Sequence, residues 1–65
     1  MNRRVVVLVL SEDDAEELAE AVASKRNFVG DGMYGAPADE TERWESDLQR
    51  LEQAIRDAPV VEVTL

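Results

Sequence analysis

Val5-Val6-Val7-Leu8-Val9-Leu10 is the stretch that most restricts how this chain folds. Six apolar residues, four of them β-branched, run without a polar break. β-Branched side chains favour extended backbone. A run that does not alternate suits a strand covered on both faces. The sequence therefore predicts a strand over 4–10. At Ser11 the pattern changes. Ser11 matches a helix N-cap, and Asp14 three residues later makes a variant capping box. Glu12, Asp13 and Asp14 place negative charge where the helix dipole favours it.

A first helix is expected over 12–26. Ala15, Leu18, Ala19, Val22 and Ala23 share one helical face, small enough for another element to approach closely. Lys25 and Arg26 suit the C-terminal end of the dipole. The opposite face carries the like-charge i,i+4 pairs Glu12–Glu16, Asp13–Glu17 and Glu16–Glu20, each costing roughly 0.2–0.5 kcal/mol. That cost is a first hint that the acidic face has a use. Residues 27–38 read as a loop, and a loop this long is more often functional than a short one. It holds all three glycines together with Phe28, Met33, Tyr34 and Pro37.

A second helix is expected over 39–58, capped by Asp39 with Glu42 or by Thr41 with Trp44. Trp44, Leu48, Leu51, Ile55 and Ala58 recur at 4-3-4-3 spacing, the clearest periodicity in the chain. Asp39–Arg43 and Glu52–Arg56 are favourable pairs for the wet side. Pro59 ends the helix. Val61, Val63 and Leu65 then alternate with Val60, Glu62 and Thr64, so a second strand is expected over 60–65.

The order strand, helix, helix, strand makes residues 1–65 a single α+β domain of β-α-α-β type. Its two antiparallel strands would have both helices on one face. A domain of 65 residues buries only about 60% of its unfolded surface, so its stability is marginal unless something staples it. The chain has no Cys and no His, which excludes disulfides and ordinary zinc or iron sites. Association is the staple that remains. The expected arrangement is a homodimer in which Val5, Val7 and Val9 lie on the strand at the twofold axis, completing a four-stranded sheet.

Charge narrows the function. Seven basic against fifteen acidic residues give a net −8. That argues against nucleic acid, whose phosphates need clustered Lys and Arg, and against anionic membrane surfaces. It favours solubility and a basic protein partner. The start Met1-Asn2-Arg3-Arg4 before an apolar run is like a signal peptide, but the run stops at an acidic segment after six residues. The expected location is the cytoplasm. No segment approaches the roughly 20 apolar residues of a membrane span.

The chemistry-bearing motifs are few. Gly30-Asp31-Gly32-Met33-Tyr34-Gly35 spells G-x-G-x-x-G, but the dinucleotide fingerprint needs a strand before it and a helix opening on it. Here a helix precedes and Pro37 follows, so the glycines read as suppliers of positive φ in a turn. No phosphate-cradling Lys-Ser/Thr and no alternating calcium ligands are present. Glu12, Asp13, Glu16 and Glu17 read as a solvated helix face and not as a metal site. No cofactor and no enzymatic role are expected. Trp44 is in step with the core positions. Tyr34, at a glycine-rich tip, is the better candidate for a partner contact. Glu16, Glu17 and Glu20 complete the candidate contacts.

A strand followed by two helices resembles the ribbon-helix-helix repressors. This chain departs from them in lacking polar readers on its strand, in its long inter-helix linker and in its C-terminal strand. Val7-Leu8-Val9-Leu10-Ser11-Glu12-Asp13-Asp14-Ala15-Glu16-Glu17-Leu18 resembles a pattern in short proteins of actinobacterial genomes and their phages. Asp47-Leu48-Gln49-Arg50-Leu51-Glu52-Gln53-Ala54-Ile55 resembles their second helix. The resemblance implies such an origin and assigns no site residues. Three functions follow as expectations. The first is a protein-interaction module, as in a phage-encoded modulator of a host protein. The second is a DNA mimic that occupies a nucleic-acid-binding protein. The third is a purely self-associating module.

Overall fold

The computed structural model describes residues 2–64. It contains two α-helices, α1 (Glu12–Gly30) and α2 (Ala38–Asp57), packed as a hairpin. The α+β expectation is overturned: among the described residues there is no strand and no sheet. Residues 2–10 and 59–64 flank the hairpin as two arms without regular structure. No backbone hydrogen bond joins them among the described residues. The strands expected over 4–10 and 60–65 are therefore not formed, and neither is the intramolecular half of the four-stranded dimer sheet. Leu65, the last residue of the expected second strand, lies outside the described residues.

The physical reason lies in the helices. Each has one apolar stripe, and the two stripes are spent on each other, leaving no helical face to cover a sheet. A two-stranded ribbon without such cover is marginal in water.

The ends of the helices explain the remaining differences. Ser11 caps α1 as expected, its hydroxyl accepting from the Asp14 amide at 3.1 Å. Helix α1 then runs four residues beyond the expected 26, through Phe28, Val29 and Gly30. It stops in a paired-carbonyl C-cap. The Gly32 amide donates to the Val29 carbonyl at 3.0 Å, and the Met33 amide to that of Phe28 at 3.2 Å. This is the Schellman arrangement, which needs a left-handed residue just past the helix. Gly32 supplies it at φ 73°, and Gly35 turns the chain again at φ 66°. The linker is thus 31–37, shorter than expected. Helix α2 has Pro37 as its N-cap with no side-chain capping bond, so neither Asp39 nor Thr41 caps it. The Thr41 hydroxyl instead donates to the Ala36 carbonyl at 3.3 Å. Before Pro59, Ala58 adopts an extended ψ of 137°, as a residue preceding proline should.

Among the described residues only Ala19 and Val29 are buried. Ala15, Val22, Ala23 and Arg26 of α1 are half-buried, as are Thr41, Trp44, Glu45, Leu48, Glu52 and Ile55 of α2. The α2 seam therefore centres on 41, 45, 48, 52 and 55, rotated from the expected stripe. Leu48 and Ile55 keep their places, but Leu51 is 49% exposed and Glu52 takes the inner position. Small residues on α1 make this possible. Gly30 lies so close to α2 that a Cβ there would meet the Glu45 carboxylate at 3.0 Å.

The Cα trace measures 48 × 34 × 14 Å, with a radius of gyration of 14.7 Å. A compact chain of this length has a radius near 11 Å. The molecule is one layer thick, whereas stable domains bury apolar surface between two layers.

Candidate functional site

The two flanks of the hairpin differ in chemistry. On one, a chain of ion pairs runs between the helices. Arg26 Nη1 donates to Glu52 Oε1 at 2.7 Å, and Arg56 Nε donates to Glu52 Oε2 at 2.9 Å. Arg56 Nη1 also donates to Glu16 Oε2 at 3.0 Å. The Glu52 side chain is only 14% exposed. The Arg56 hydrogen bond, assisted by the charges of Arg26 and Arg56, outweighs burial and holds the Glu52 carboxyl below its ordinary value. Glu52 is thus a seam residue and not the wet-side half of a pair. No ion pair joins Asp39 to Arg43 among the described residues.

On the other flank, Lys25 Nζ lies 5.6 Å from the Trp44 ring centroid. The Tyr34 ring is 5.0 Å from that of Trp44, tilted by 47°. Leu18 stands two turns from Lys25, and Leu51 two turns from Trp44, so both leucines share this flank. Trp44 is half-buried beneath Tyr34, which folds back from the linker and yet stays 55% exposed.

The arms meet the hairpin at its open end. They border a groove of about 890 Å³ whose walls include Val6, Leu8 and Leu10 from one arm, Val61 from the other, and Leu18 and Ile55 from the helices. Val5, Val7 and Val9 are 80%, 83% and 91% exposed. Arm backbone that pairs with nothing among the described residues is a ready template for another polypeptide.

The acidic candidates divide. Glu16 is bound by Arg56, which relieves its like-charge neighbours and interrupts any phosphate-like row along α1. Glu17 and Glu20 are exposed and outside every ion pair among the described residues. Sequence reasoning paired Glu52 with Arg56 but missed Arg26 and Glu16, which extend that pair across the hairpin. The only available signal was charge at positions that a 3.5-residue repeat places inward. Among the described residues no three metal-ligating side chains gather, and no helix is long and apolar enough to cross a membrane. Gly30 of the G-x-G-x-x-G string is helical, and no strand precedes the string. Comparison with protein-family models, curated proteins and solved structures finds no match to this chain.

Proposed function

We propose that this chain is a small acidic protein-interaction module of the cytoplasm, and that its arms are the contact element. The observation that carries the reading is the open end of the hairpin. Two apolar segments lie there beside a groove, with their valines exposed and their backbone unpaired among the described residues. Large contiguous apolar surface on a soluble protein marks an interaction site. The helical hairpin acts as the rigid base that holds the two arms side by side. Net charge of −8, with Glu17 and Glu20 exposed, favours a basic surface on a protein partner and speeds its encounter. The resemblance of residues 7–18 to short phage and actinobacterial proteins fits a modulator of a host protein.

Affinity capture from cell extract tests this, with the intact chain, an arm variant (Val5→Ser, Val7→Ser, Val9→Ser) and an acidic-face variant (Glu17→Gln, Glu20→Gln) as baits. The bound proteins, copies of the chain included, should be lost with the arm variant. If the arm variant keeps the full bound set, the arms are not the contact element.

A further inference from the structure

Resting on that reading, we propose that the arms take a second copy of this chain: residues 5–10 of two copies lie antiparallel across a twofold axis, and Arg3 and Arg4 of each copy meet Glu12 and Asp13 of the other.

The exposed area calls for a partner of this size. The chain exposes 6039 Å². A folded monomer of 7.3 kDa is expected to expose about 4,200 Å², leaving an excess of roughly 1,800 Å². A stable interface of standard size takes about 800 Å² from each partner. The excess is more than twice that, and a second copy brings an equal excess of the same chemistry.

The sequence of the arm fixes the direction. From residue 3 it reads two arginines, six apolar residues, Ser11, then Glu12, Asp13 and Asp14. A twofold contact must be self-complementary. Laid parallel, two such segments set arginine on arginine and acid on acid. Laid antiparallel about Leu8, they set Arg4 opposite Glu12 and Arg3 opposite Asp13. The apolar centres then meet one another. Within one chain these charges are unused: among the described residues Arg3, Arg4, Glu12, Asp13 and Asp14 enter no ion pair. The arm backbone makes the same demand, since N–H and C=O groups that the contact buries must find partners. An antiparallel copy presents a matching row of both. The net −8 of each chain opposes association only at a distance. At physiological ionic strength charges further apart than about 8 Å are screened, while the arm contacts are close.

The test is light scattering after size exclusion on the full chain and on two reversed variants, one carrying Arg3→Glu and Arg4→Glu, the other Glu12→Arg and Asp13→Arg. All four positions are exposed, and circular dichroism checks that the hairpin is retained. The unaltered chain should run near twice 7.3 kDa. Each reversed variant alone should dissociate at least about tenfold more readily, because like charges now face each other. Mixed together, the two should recover the dimer, since every contact is again between opposite charges. A monomeric unaltered chain would overturn the second copy as partner while leaving the capture experiment to judge the wider reading. A dimer that neither variant weakens, or that mixing does not restore, would overturn the antiparallel contact.

Discussion

Replacing Val29 with Ala should cost this molecule more than replacing its larger neighbour Phe28. Val29 is 1% exposed and is the largest fully buried side chain, whereas Phe28 is 51% exposed. Truncation to Ala removes two buried methyl-sized groups, worth about 1.6 kcal/mol at roughly 0.8 kcal/mol each. If the helices do not close on the space, a cavity of about 50 Å³ adds roughly 1.2 kcal/mol. Ala is the better helix former by roughly 0.6 kcal/mol, which works the other way. The net loss is about 2 kcal/mol. A 65-residue domain at the low end of ordinary stability holds about 3 kcal/mol in all, so most of it would go. With an unfolding entropy near 0.14 kcal/mol per kelvin for this length, Tm should fall by about 15 °C. Phe28→Ala gains the same helix propensity and loses a side chain already half in water, so its Tm should move by less than half as much. Thermal melts followed by circular dichroism at one fixed protein concentration measure both, since association makes Tm concentration-dependent. A Phe28→Ala loss equal to or larger than that of Val29→Ala would refute this placement of the helix contact.

Two further outcomes follow from the ion pairs and the glycines. The Glu52 carboxyl is held, first by the Arg56 hydrogen bond, below its ordinary value of 4.5, so it stabilises the fold above that pH. The contribution is lost as pH falls through the lowered folded value; the Tm of the parent chain should therefore drop more steeply below pH 4.5 than that of Glu52→Gln, and parallel pH–Tm curves would refute it. Gly32→Ala places a side chain at φ 73° with nothing within 4 Å, so its cost is purely conformational, about 1 kcal/mol. Gly30→Ala sits inside α1 and should be neutral or stabilising once the flexible Glu45 carboxylate shifts; a larger Tm loss for Gly30→Ala than for Gly32→Ala in the same melts would contradict the C-cap geometry.

The two helices were legible in the sequence because their signals are local. Ser11 at an N-cap, Pro59 as a stop and the 4-3-4-3 recurrence from Trp44 act within a turn or two of where they stand. The end of α1 was misplaced because a basic pair at Lys25 and Arg26 reads as a helix end, while the true stop needs Gly32 in a left-handed conformation. The strand expectation failed for a different reason. Val5 to Leu10 has the composition of a strand, but composition gives only a preference, and a strand exists when another backbone pairs with it. Nothing local shows that the Ala-rich face of α1 takes α2 as its cover. The α2 stripe was legible to within one helical position: Leu48 and Ile55 were placed, while Leu51 and Glu52 exchanged roles because Glu52 is drawn inward by Arg26.

That inward carboxylate also determines which residues may face each other along the hairpin. Alanine-rich stripes are permissive, and helices joined by a seven-residue linker could in principle slide by a turn, about 6 Å, without losing much apolar contact. Sliding α2 one way would bring Leu48 to the place of Glu52 opposite Arg26, stranding the guanidinium. Sliding it the other way would bring Arg56 there, setting arginine against arginine. Either slip forfeits the pairing, and only the observed alignment gives both arginines one shared carboxylate. A seam carboxylate shared by two arginines thus serves as a register key.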